Sequence, residues 1–511
     1  MEQFIVKHQA KIQGVISCFD RILFKGYLPM SYPESMEAFL NHRGILFKDF
    51  KNFAISCSQT IKDHAVRTAH KADRPFIYLN SPIRKEEKAR EIAQRDGVTQ
   101  GLVCIFSIVE ACQSFKLKYG EGKPRLASSA PRCLCLYFYY ADREFGLMHV
   151  RIQTWFPFTV QIYLNGHEWL ARKMTQHGIG YVQVENAFVR IDDCRRAQRF
   201  AERFVKKDFP RILEAFARKV NPLLNDLLQG MHYYWVIDQA EYATDVLFKD
   251  RAALKDLYQN LLRHATVCFS AEDVLTFLGR KLNGNFQGEV MNNFKKRWPG
   301  ARVKHRMKGN WIKMYDKHGC VLRIETVINH PYEFRVRREG IRQGERVMAW
   351  YPMAKRVTNL YRYAEVCLSA NRAYLDALAV VDDPAQAYRV LNALCEPVTQ
   401  NGRRCRGLNP LRNDDLALFA AALRGEHFIH GFRNRDLAAH LNLRHVQDPR
   451  ERKRQSARIT RLLHLLHAHH LIAKIPRTRR YRLTLRGATL MSAAVYLYNH
   501  EFPHTITNKV A

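Results

Sequence analysis

Two adjacent runs of alternating apolar and polar residues limit most strongly how this chain folds. The runs cover residues 310–316 and 320–329, and Lys317-His318-Gly319 joins them. Alternation with a period of two around a short turn that contains glycine predicts an antiparallel β-hairpin with one buried and one solvated face. Residues two apart on each strand then lie on the same side of the sheet.

Each predicted strand carries one acid among apolar neighbours, Asp316 on the first strand and Glu325 on the second. A buried carboxylate is unfavourable unless it meets a cation, a metal ion or a hydrogen-bond donor. Two interpretations remain open. In the first, Asp316 opens the turn and Glu325 pairs with a nearby arginine. In the second, both acids take part in binding a divalent metal ion.

The same hairpin resembles a known motif. Tyr315-Asp316-Lys317 at the end of one strand and Leu322-Arg323-Ile324-Glu325 on the next are similar to the late motif of rolling-circle replication initiators from plasmids and filamentous phages. The resemblance implies a metal-dependent DNA nickase with a tyrosine nucleophile. It implies catalytic roles for Tyr315, Asp316 and Glu325.

The chain departs from the initiator pattern at the two-histidine metal motif of many nickases. His149-Val150-Arg151 has arginine where that motif has its second histidine. Alternation also places Tyr315 on the strand face opposite Asp316. Other tyrosines are therefore equally open to the role of nucleophile: Tyr233, Tyr234, Tyr361 and Tyr363.

A second group of acids, Asp238, Glu241 and Asp245, follows a strand-like run of aromatic and apolar residues. One interpretation is a helix start, where acids interact favourably with the macrodipole. The other is that these acids join Asp316 and Glu325 in a site for Mg²⁺ or Mn²⁺ that supports phosphodiester chemistry. Both interpretations remain open.

At 511 residues the chain is too long for a single hydrophobic core. Alternating strand and helix patterns predict an N-terminal α/β domain over residues 1–125, and residues 118–132 read as a linker or long loop. Residues 131–380 predict a central domain in which CLCLYFYYAD, LMHVRIQTW and PFTVQIYLNG form an antiparallel meander. A linker over residues 381–412 leads to a C-terminal domain over residues 413–511. The predicted fold class is α+β.

The charge balance indicates a polyanionic partner. Lysine and arginine number 82 against 48 acids, which gives a net charge of +34. Such a surplus favours nucleic acid, because phosphate contacts release condensed counterions. Duplex DNA is the expected partner and RNA an alternative; a homo-oligomer is compatible with the sequence. We expect no membrane partner and a cytoplasmic location, since no long apolar span or signal peptide is visible.

The chain has twelve cysteines, scattered mostly through apolar runs. This placement predicts buried free thiols. Only Cys133 and Cys135 are closely spaced, and one intervening residue does not give the two-residue gap of a zinc knuckle. We therefore expect no metal role for them.

The C-terminal residues predict two helices, a longer third helix, a two-stranded wing and a closing helix. This order and the segments LLHLLHAHHLI and YRLT resemble bacterial winged helix-turn-helix domains, which implies DNA binding. Residues 450–486 hold twelve lysines and arginines and one acid. The candidate DNA contacts are Arg450, Arg452, Lys453, Arg454, Arg458 and Arg461 on the third helix, and Arg477, Arg479 and Arg480 at the wing tip.

The tripeptide Phe19-Asp20-Arg21 and the segment WFPFTVQIYLNG resemble a bacterial protein family, and this resemblance implies no particular activity.

The sequence leaves two functional classes open. The first class is an enzyme of a mobile element or replicon, such as a nickase or transposase-like protein. The second is a non-enzymatic winged-helix protein, a regulator or a structural or RNA-binding factor, in which the carboxylates are structural.

Overall fold

A computed structural model of the chain describes residues 1–501 except 81–82, 120–123, 268, 280–289, 297–300, 343–344, 380, 382–391, 393, 401, 442–447 and 477. The fold is mixed α and β, and the chain forms two compact units. Unit A contains Met1–Gly14, Val246–Thr326 and Leu368–Ala511, and unit B contains Val15–Asp245 and Val327–Cys367.

The described strands, in chain order, are β1 Ile12–Tyr27, β2 Phe76–Tyr78, β3 Gly101–Ala111, β4 Ser114–Lys118, β5 Arg125–Ser129, β6 Arg132–Asp142, β7 Gly146–Gln153, β8 Val160–Asn165, β9 Tyr181–Val184, β10 Ala187–Ile191, β11 Tyr234–Phe248, β12 Val290–Lys296, β13 Ala301–Met307, β14 Asn310–Lys317, β15 Val321–Ile328, β16 Arg335–Arg342, β17 Glu345–Pro352, β18 Val398–Gln400, β19 Arg403–Cys405, β20 Ile472–Lys474 and β21 Tyr481–Leu483.

The described α-helices are α1 Glu2–Lys7, α2 Pro33–His42, α3 Phe50–Lys71, α4 Lys85–Arg95, α5 Gly166–Gln176, α6 Cys194–Ala201, α7 Phe209–Val220, α8 Arg251–Val267, α9 Ala271–Phe277, α10 Leu360–Leu378, α11 Asn413–Ala422, α12 Gly425–His430, α13 Asn434–His440, α14 Pro449–Ala468 and α15 Leu485–Tyr496. Short 3₁₀ turns cover Pro29–Ser31, Phe204–Lys206, Pro222–Asn225, Pro331–Glu333 and Val357–Asn359, and a π turn covers Leu497–Glu501.

Unit B is built around a mixed sheet with the strand order β11-β1-β8-β7-β6-β3-β2. Pairing is antiparallel from β1 through β8, β7 and β6 to β3, and parallel between β3 and β2. The middle of β6 is buried on both faces, as is most of β7. Their continuous apolar and aromatic runs fit strands that are covered on both sides.

The antiparallel meander predicted from three consecutive runs is confirmed, because β6, β7 and β8 pair in that order. The loop predicted over residues 118–132 is partly wrong. Within it, β5 pairs with β4, with Leu117 opposite Leu126, and Leu126 is buried. The pairing of β1 with β8 and of β3 with β6 places residues from both sides of the predicted boundary near residue 125 in one sheet.

The sequence predicts a helical run over residues 195–230 with breaks at Pro210 and Pro222, and the structure interrupts this run between α6 and α7 and again after α7. Pro210 lies in the first turn of α7, where its missing N–H leaves no helix hydrogen bond unmade. Residues 234–248 are strand β11 throughout. The helix start considered for Asp238, Glu241 and Asp245 is therefore wrong.

In unit A, antiparallel strands follow the order β12-β13-β14-β15. Strands β14 and β15 are the hairpin predicted from alternation, and His318 and Gly319 adopt positive φ in its turn. The segment SAEDVLTFLGRK predicts a helix that Ser270 caps, with Asp273 at the capping-box position, and the start of α9 confirms it. The Ser270 hydroxyl accepts from the Asp273 backbone N–H, and the Asp273 carboxylate accepts from the Ser270 backbone N–H.

The C-terminal part of unit A contains α11 to α15 and the hairpin β20–β21. Its core includes Phe419, Leu437, Leu463, Leu466 and Met491, contributed by four of the helices. Helix α12 was not predicted, and beside it an ion pair joins Arg424 to Glu272 of α9. No described helix is both long and apolar enough to cross a bilayer.

Candidate functional site

Helix α14 divides into an exposed N-terminal half and a packed C-terminal half. The Asp448 side chain accepts a hydrogen bond from the Arg450 backbone N–H and so caps the helix start. None of residues 449–458 is buried, whereas Ile459, Leu463 and Leu466 are buried in the core. The basic half of the helix therefore extends beyond the core that holds the rest of the helix.

The arginines of α14 form a stripe. Arg450, Arg454, Arg458 and Arg461 follow one another at spacings of three and four residues, so they share one helix face. By the same periodicity that face is opposite the one that carries Ile459, Leu463 and Leu466. All four arginines are exposed, as are Arg452 and Lys453 on the other sides of the helix.

The β20–β21 hairpin places a second set of cations. Arg479 is exposed in the turn, whereas Arg480 is half-buried and its Nη1 donates to the Gly431 carbonyl at 3.5 Å. Arg477 lies outside the described residues. Two exposed arginines that the sequence analysis did not select, Arg482 on β21 and Arg486 on α15, follow directly. The sequence could have indicated both arginines, because the run of basic residues continues past the hairpin turn.

Glu325 is almost fully buried on β15, and neighbours on β14 compensate its charge. Lys313 forms an ion pair with its carboxylate, and the Tyr315 hydroxyl donates to it at 2.5 Å. The alternation of β14 explains this geometry, because Lys313 and Tyr315 share a strand face. The cation that meets Glu325 in the hairpin is thus a lysine, where the sequence analysis considered an arginine.

Asp316 takes a different position in the same hairpin. Its Oδ1 accepts from the Gly319 backbone N–H at 2.9 Å, which closes the turn. Burial raises the pKa of this carboxyl. As the residue after Tyr315 it lies on the other face of β14, so the hairpin does not bring Asp316 and Glu325 together.

The acids of β11 also separate. Asp238 is partly exposed and lies 3.7 Å from the Nζ of Lys355. Glu241 and Asp245 are four residues apart on the strand, share a face and are buried. Gln239 donates from its side-chain amide to Glu241 at 2.7 Å.

Two residues that the sequence analysis did not select as ligands lie with these acids in unit B. The His167 ring stands between two carboxylates, with Nδ1 at 3.2 Å from Asp20 Oδ1 and Nε2 at 3.5 Å from Asp245 Oδ2. All three side chains are buried. One carboxylate oxygen of Asp20 is within 4.8 Å of one of Glu241. We call Asp20, His167, Glu241 and Asp245 the buried polar cluster.

Local structure fixes the members of the buried polar cluster. Asp20 lies within β1 and accepts from the Asn186 side-chain amide at 2.9 Å. His167 is in the first turn of α5, where the Asn165 side chain accepts from its backbone N–H at 2.8 Å. Carboxylate oxygens this close suit a divalent cation such as Mg²⁺ or Mn²⁺. The sequence signal for Asp20 was an acid inside an apolar strand run.

The tyrosines considered as alternative nucleophiles occupy two environments. Tyr233 and Tyr363 are buried, and burial raises the pKa of both hydroxyls. Tyr233 also donates to the Phe158 carbonyl at 2.8 Å. Tyr234 and Tyr361 are exposed, at 58% and 42% of their surface. Exposure leaves these two side chains accessible from solvent.

Comparison of the chain with known protein families, with curated proteins and with solved structures found no match. A function is therefore inferred from the charge, burial and hydrogen bonding of the side chains described above.

Proposed function

We propose that the chain is a duplex-DNA-binding protein in which residues 413–496 act as a winged-helix reader. The observation that carries the proposal is the exposed N-terminal half of α14. Arg450, Arg454, Arg458 and Arg461 form a stripe directed away from the core. A helix that extends its cations into solvent, while its other half is anchored, suits insertion into the major groove.

The neighbouring elements support a winged-helix reading. Helix α13 precedes α14, and the Asn434 side-chain amide donates to the Ser456 carbonyl at 3.0 Å and to Thr460 Oγ1 at 2.8 Å. Phe432 forms a β-bridge with Tyr481 of β21. The β20–β21 hairpin is the wing in this proposal, and its exposed Arg479 meets a phosphate.

Charge placement sets the expected behaviour of the complex. Each phosphate that an arginine neutralises releases counterions, so affinity falls steeply as salt rises. Arg454 and Arg458 face the groove from neighbouring turns of α14 and contact base edges, whereas Arg479 contacts backbone. The preference for a particular DNA sequence therefore depends on α14, whereas overall affinity depends on both α14 and the β20–β21 hairpin.

Titration of the full chain against labelled duplex at two salt concentrations tests the proposal. We expect tight binding at low salt, a steep loss at high salt, and strong weakening by Arg458→Glu. Arg67→Glu is the matched control, because Arg67 is an exposed helical arginine in unit B. Equal weakening by both variants, salt-independent binding or a preference for RNA over duplex DNA would contradict a specific reader on α14.

A second candidate function, metal-dependent cleavage of a DNA strand, is supported by the buried polar cluster of unit B. Asp20 and Glu241 offer carboxylate oxygens within 4.8 Å of one another, beside His167 and Asp245. A bound Mg²⁺ or Mn²⁺ would neutralise and polarise a phosphate there. In the hairpin of unit A, Lys313 and Tyr315 already compensate the charge of Glu325.

Conservative variants of single acids test which carboxylates the cleavage needs. Supercoiled and single-stranded DNA are incubated with Mn²⁺ and the parent chain, Asp20→Asn, Glu325→Gln or Asp316→Asn. Nicking lost in Asp20→Asn assigns the chemistry to the buried polar cluster. Nicking lost in both Glu325→Gln and Asp316→Asn, but retained in Asp20→Asn, favours the initiator-like hairpin. If no DNA is cut by the parent, the protein belongs to the non-enzymatic class.

A further inference from the structure

Three cysteines of unit B that are distant in sequence lie together at one end of the β3–β6 pair. Cys112 directly follows β3, and Cys133 and Cys135 are two residues apart on β6, so these two share a strand face. The Sγ atoms of Cys112 and Cys135 are 3.3 Å apart. The sulfur atoms of all three residues lie within 4.8 Å of one another. We call them the thiol cluster.

An arginine faces the thiol cluster. The Nη2 of Arg151 is 3.0 Å from the Sγ of Cys135 and 3.6 Å from that of Cys112. Arg151 is itself held by Glu110, whose carboxylate accepts from Arg151 Nε at 3.1 Å and from the Tyr137 hydroxyl at 2.8 Å. The Arg151 guanidinium is therefore held beside the sulfur atoms, where its charge stabilises a thiolate.

The surroundings favour one thiolate in the cluster, at Cys112. Hydrogen bonds from the thiols of Cys133 and Cys135 lower the pKa of the Cys112 thiol, and the Arg151 charge acts in the same direction, whereas the hydrogen bonds to Cys112 raise the pKa of the other two thiols. Other buried cysteines differ, since burial raises the pKa of Cys57 to about 11 and that of Cys104 to about 12. Thiolate is the form of cysteine that binds metals.

The thiol cluster is also open to solvent at one member. Cys112 and Cys135 are buried, but Cys133 is only partly buried. An ion could therefore reach the sulfur atoms without rearrangement of the sheet. Among the described cysteines, no other group brings three sulfur atoms this close.

We propose that Cys112, Cys133 and Cys135 form a three-sulfur site for a thiophilic divalent cation of the zinc type. A tetrahedral zinc with Zn–S bonds of about 2.3 Å holds its sulfur ligands roughly 3.8 Å apart, close to the spacing present here. Solvent would supply the fourth ligand. On binding, each thiol that is still protonated loses its proton to the solvent, and three Zn–S bonds form without a change in oxidation state.

The charges of the loaded site balance. Three thiolates and one divalent cation leave a net negative charge of one, which the Arg151 guanidinium offsets. The ion would tie the end of β3 to β6 beside the β4–β5 hairpin. The site is independent of the DNA-binding proposal, because it uses only residues of unit B.

The test uses the full chain, purified under reducing conditions, stripped with a chelator and titrated with Co²⁺ as a spectroscopic substitute for zinc. We expect an equimolar endpoint with an intense sulfur-to-cobalt charge-transfer band, and displacement of that band by Zn²⁺. Cys133→Ser is the principal variant, because its partly exposed position tolerates serine. The band should disappear in this variant while circular dichroism stays unchanged.

Cys395→Ser provides the matched control, since Cys395 is an exposed cysteine of unit A. This variant should bind cobalt as the parent does. Absence of the charge-transfer band in the reduced parent would overturn the proposal, as would a band that survives in Cys133→Ser. A Cys112–Cys135 disulfide that resists strong reductant, seen as a mass two hydrogens lower, would also overturn it.

Discussion

Charged side chains serve opposite purposes in helix α14 and in the β14–β15 hairpin, although both belong to unit A. The arginines of α14 project into solvent, where a charge carries no desolvation cost and can meet an external phosphate. The hairpin instead buries Glu325 and compensates it with Lys313 and Tyr315. Charge alone therefore does not identify a functional surface, and burial decides whether a charge binds partners or holds the fold.

The largest effect on stability is expected when the buried ion pair of the hairpin is broken. Lys313→Met should lower the free energy of unfolding by about 3 kcal/mol, because it leaves the buried Glu325 carboxylate without its lysine. Urea denaturation measures the change. Lys313→Met combined with Glu325→Gln should recover more than half of the loss.

Lys255→Met is the control for this prediction, because Lys255 is an exposed lysine of α8. Its effect should stay within about 0.5 kcal/mol. If Lys313→Met changes the free energy of unfolding as little as Lys255→Met does, the hairpin charges stabilise the fold no more than the exposed charges of α14.

A buried histidine extends the comparison to pH. His305 is fully buried, its Nε2 lies 2.9 Å from the Tyr374 hydroxyl, and burial lowers its pKa to about 4. The unfolded chain binds a proton near pH 6.5 that the folded chain excludes, so the contribution of His305 is complete above pH 6.5 and is lost as pH falls toward 4.

His305→Gln should therefore reduce the loss of stability between pH 7 and pH 4 by roughly 2–3 kcal/mol relative to the parent. Urea unfolding at both pH values measures it, and the other buried histidines contribute equally to both proteins. His42→Gln, at an exposed position, should leave the pH dependence unchanged. An unchanged dependence in His305→Gln would mean that the ring is protonated in the folded state.

A smaller effect is expected from the exposed stripe of α14. Arg454→Ala and Arg458→Ala should each weaken binding to a preferred duplex by about 1–3 kcal/mol. The affinity of each variant for duplex of random sequence should stay closer to that of the parent. Stability should change by less than about 0.5 kcal/mol. Competition binding on both duplexes measures the affinities, and urea denaturation measures the free energy of unfolding. Marked destabilisation by either substitution would show that these arginines stabilise the fold instead of serving a binding surface.

The smallest effect is expected from Arg479→Ala in the β20–β21 turn. A backbone contact carries no sequence information, so binding to preferred and random duplex should weaken alike. The slope of log affinity against log salt should become shallower by about 1. A loss of sequence preference in this variant, with Arg454→Ala retaining it, would reverse the proposed docking.

Local patterns in the sequence determined much of the secondary structure. Alternation predicted the β14–β15 hairpin, and three consecutive runs predicted the meander of β6, β7 and β8. The Ser270 and Asp273 pair predicted the start of α9, and the basic run after residue 449 predicted the charged helix α14. Each of these signals depends on residues within a few positions of one another, so no knowledge of distant contacts was needed.

Tertiary structure alone decided which side chains meet. Cys112 joins Cys133 and Cys135 only because β3 pairs with β6. Asp20 and Asp245 both meet His167 only because strands β8 and β11 flank β1 in the sheet. The register of these strands depends on packing between segments far apart in the chain. Sequence periodicity gives the face on which a residue lies, but the partner across that face comes from pairing that no local pattern encodes.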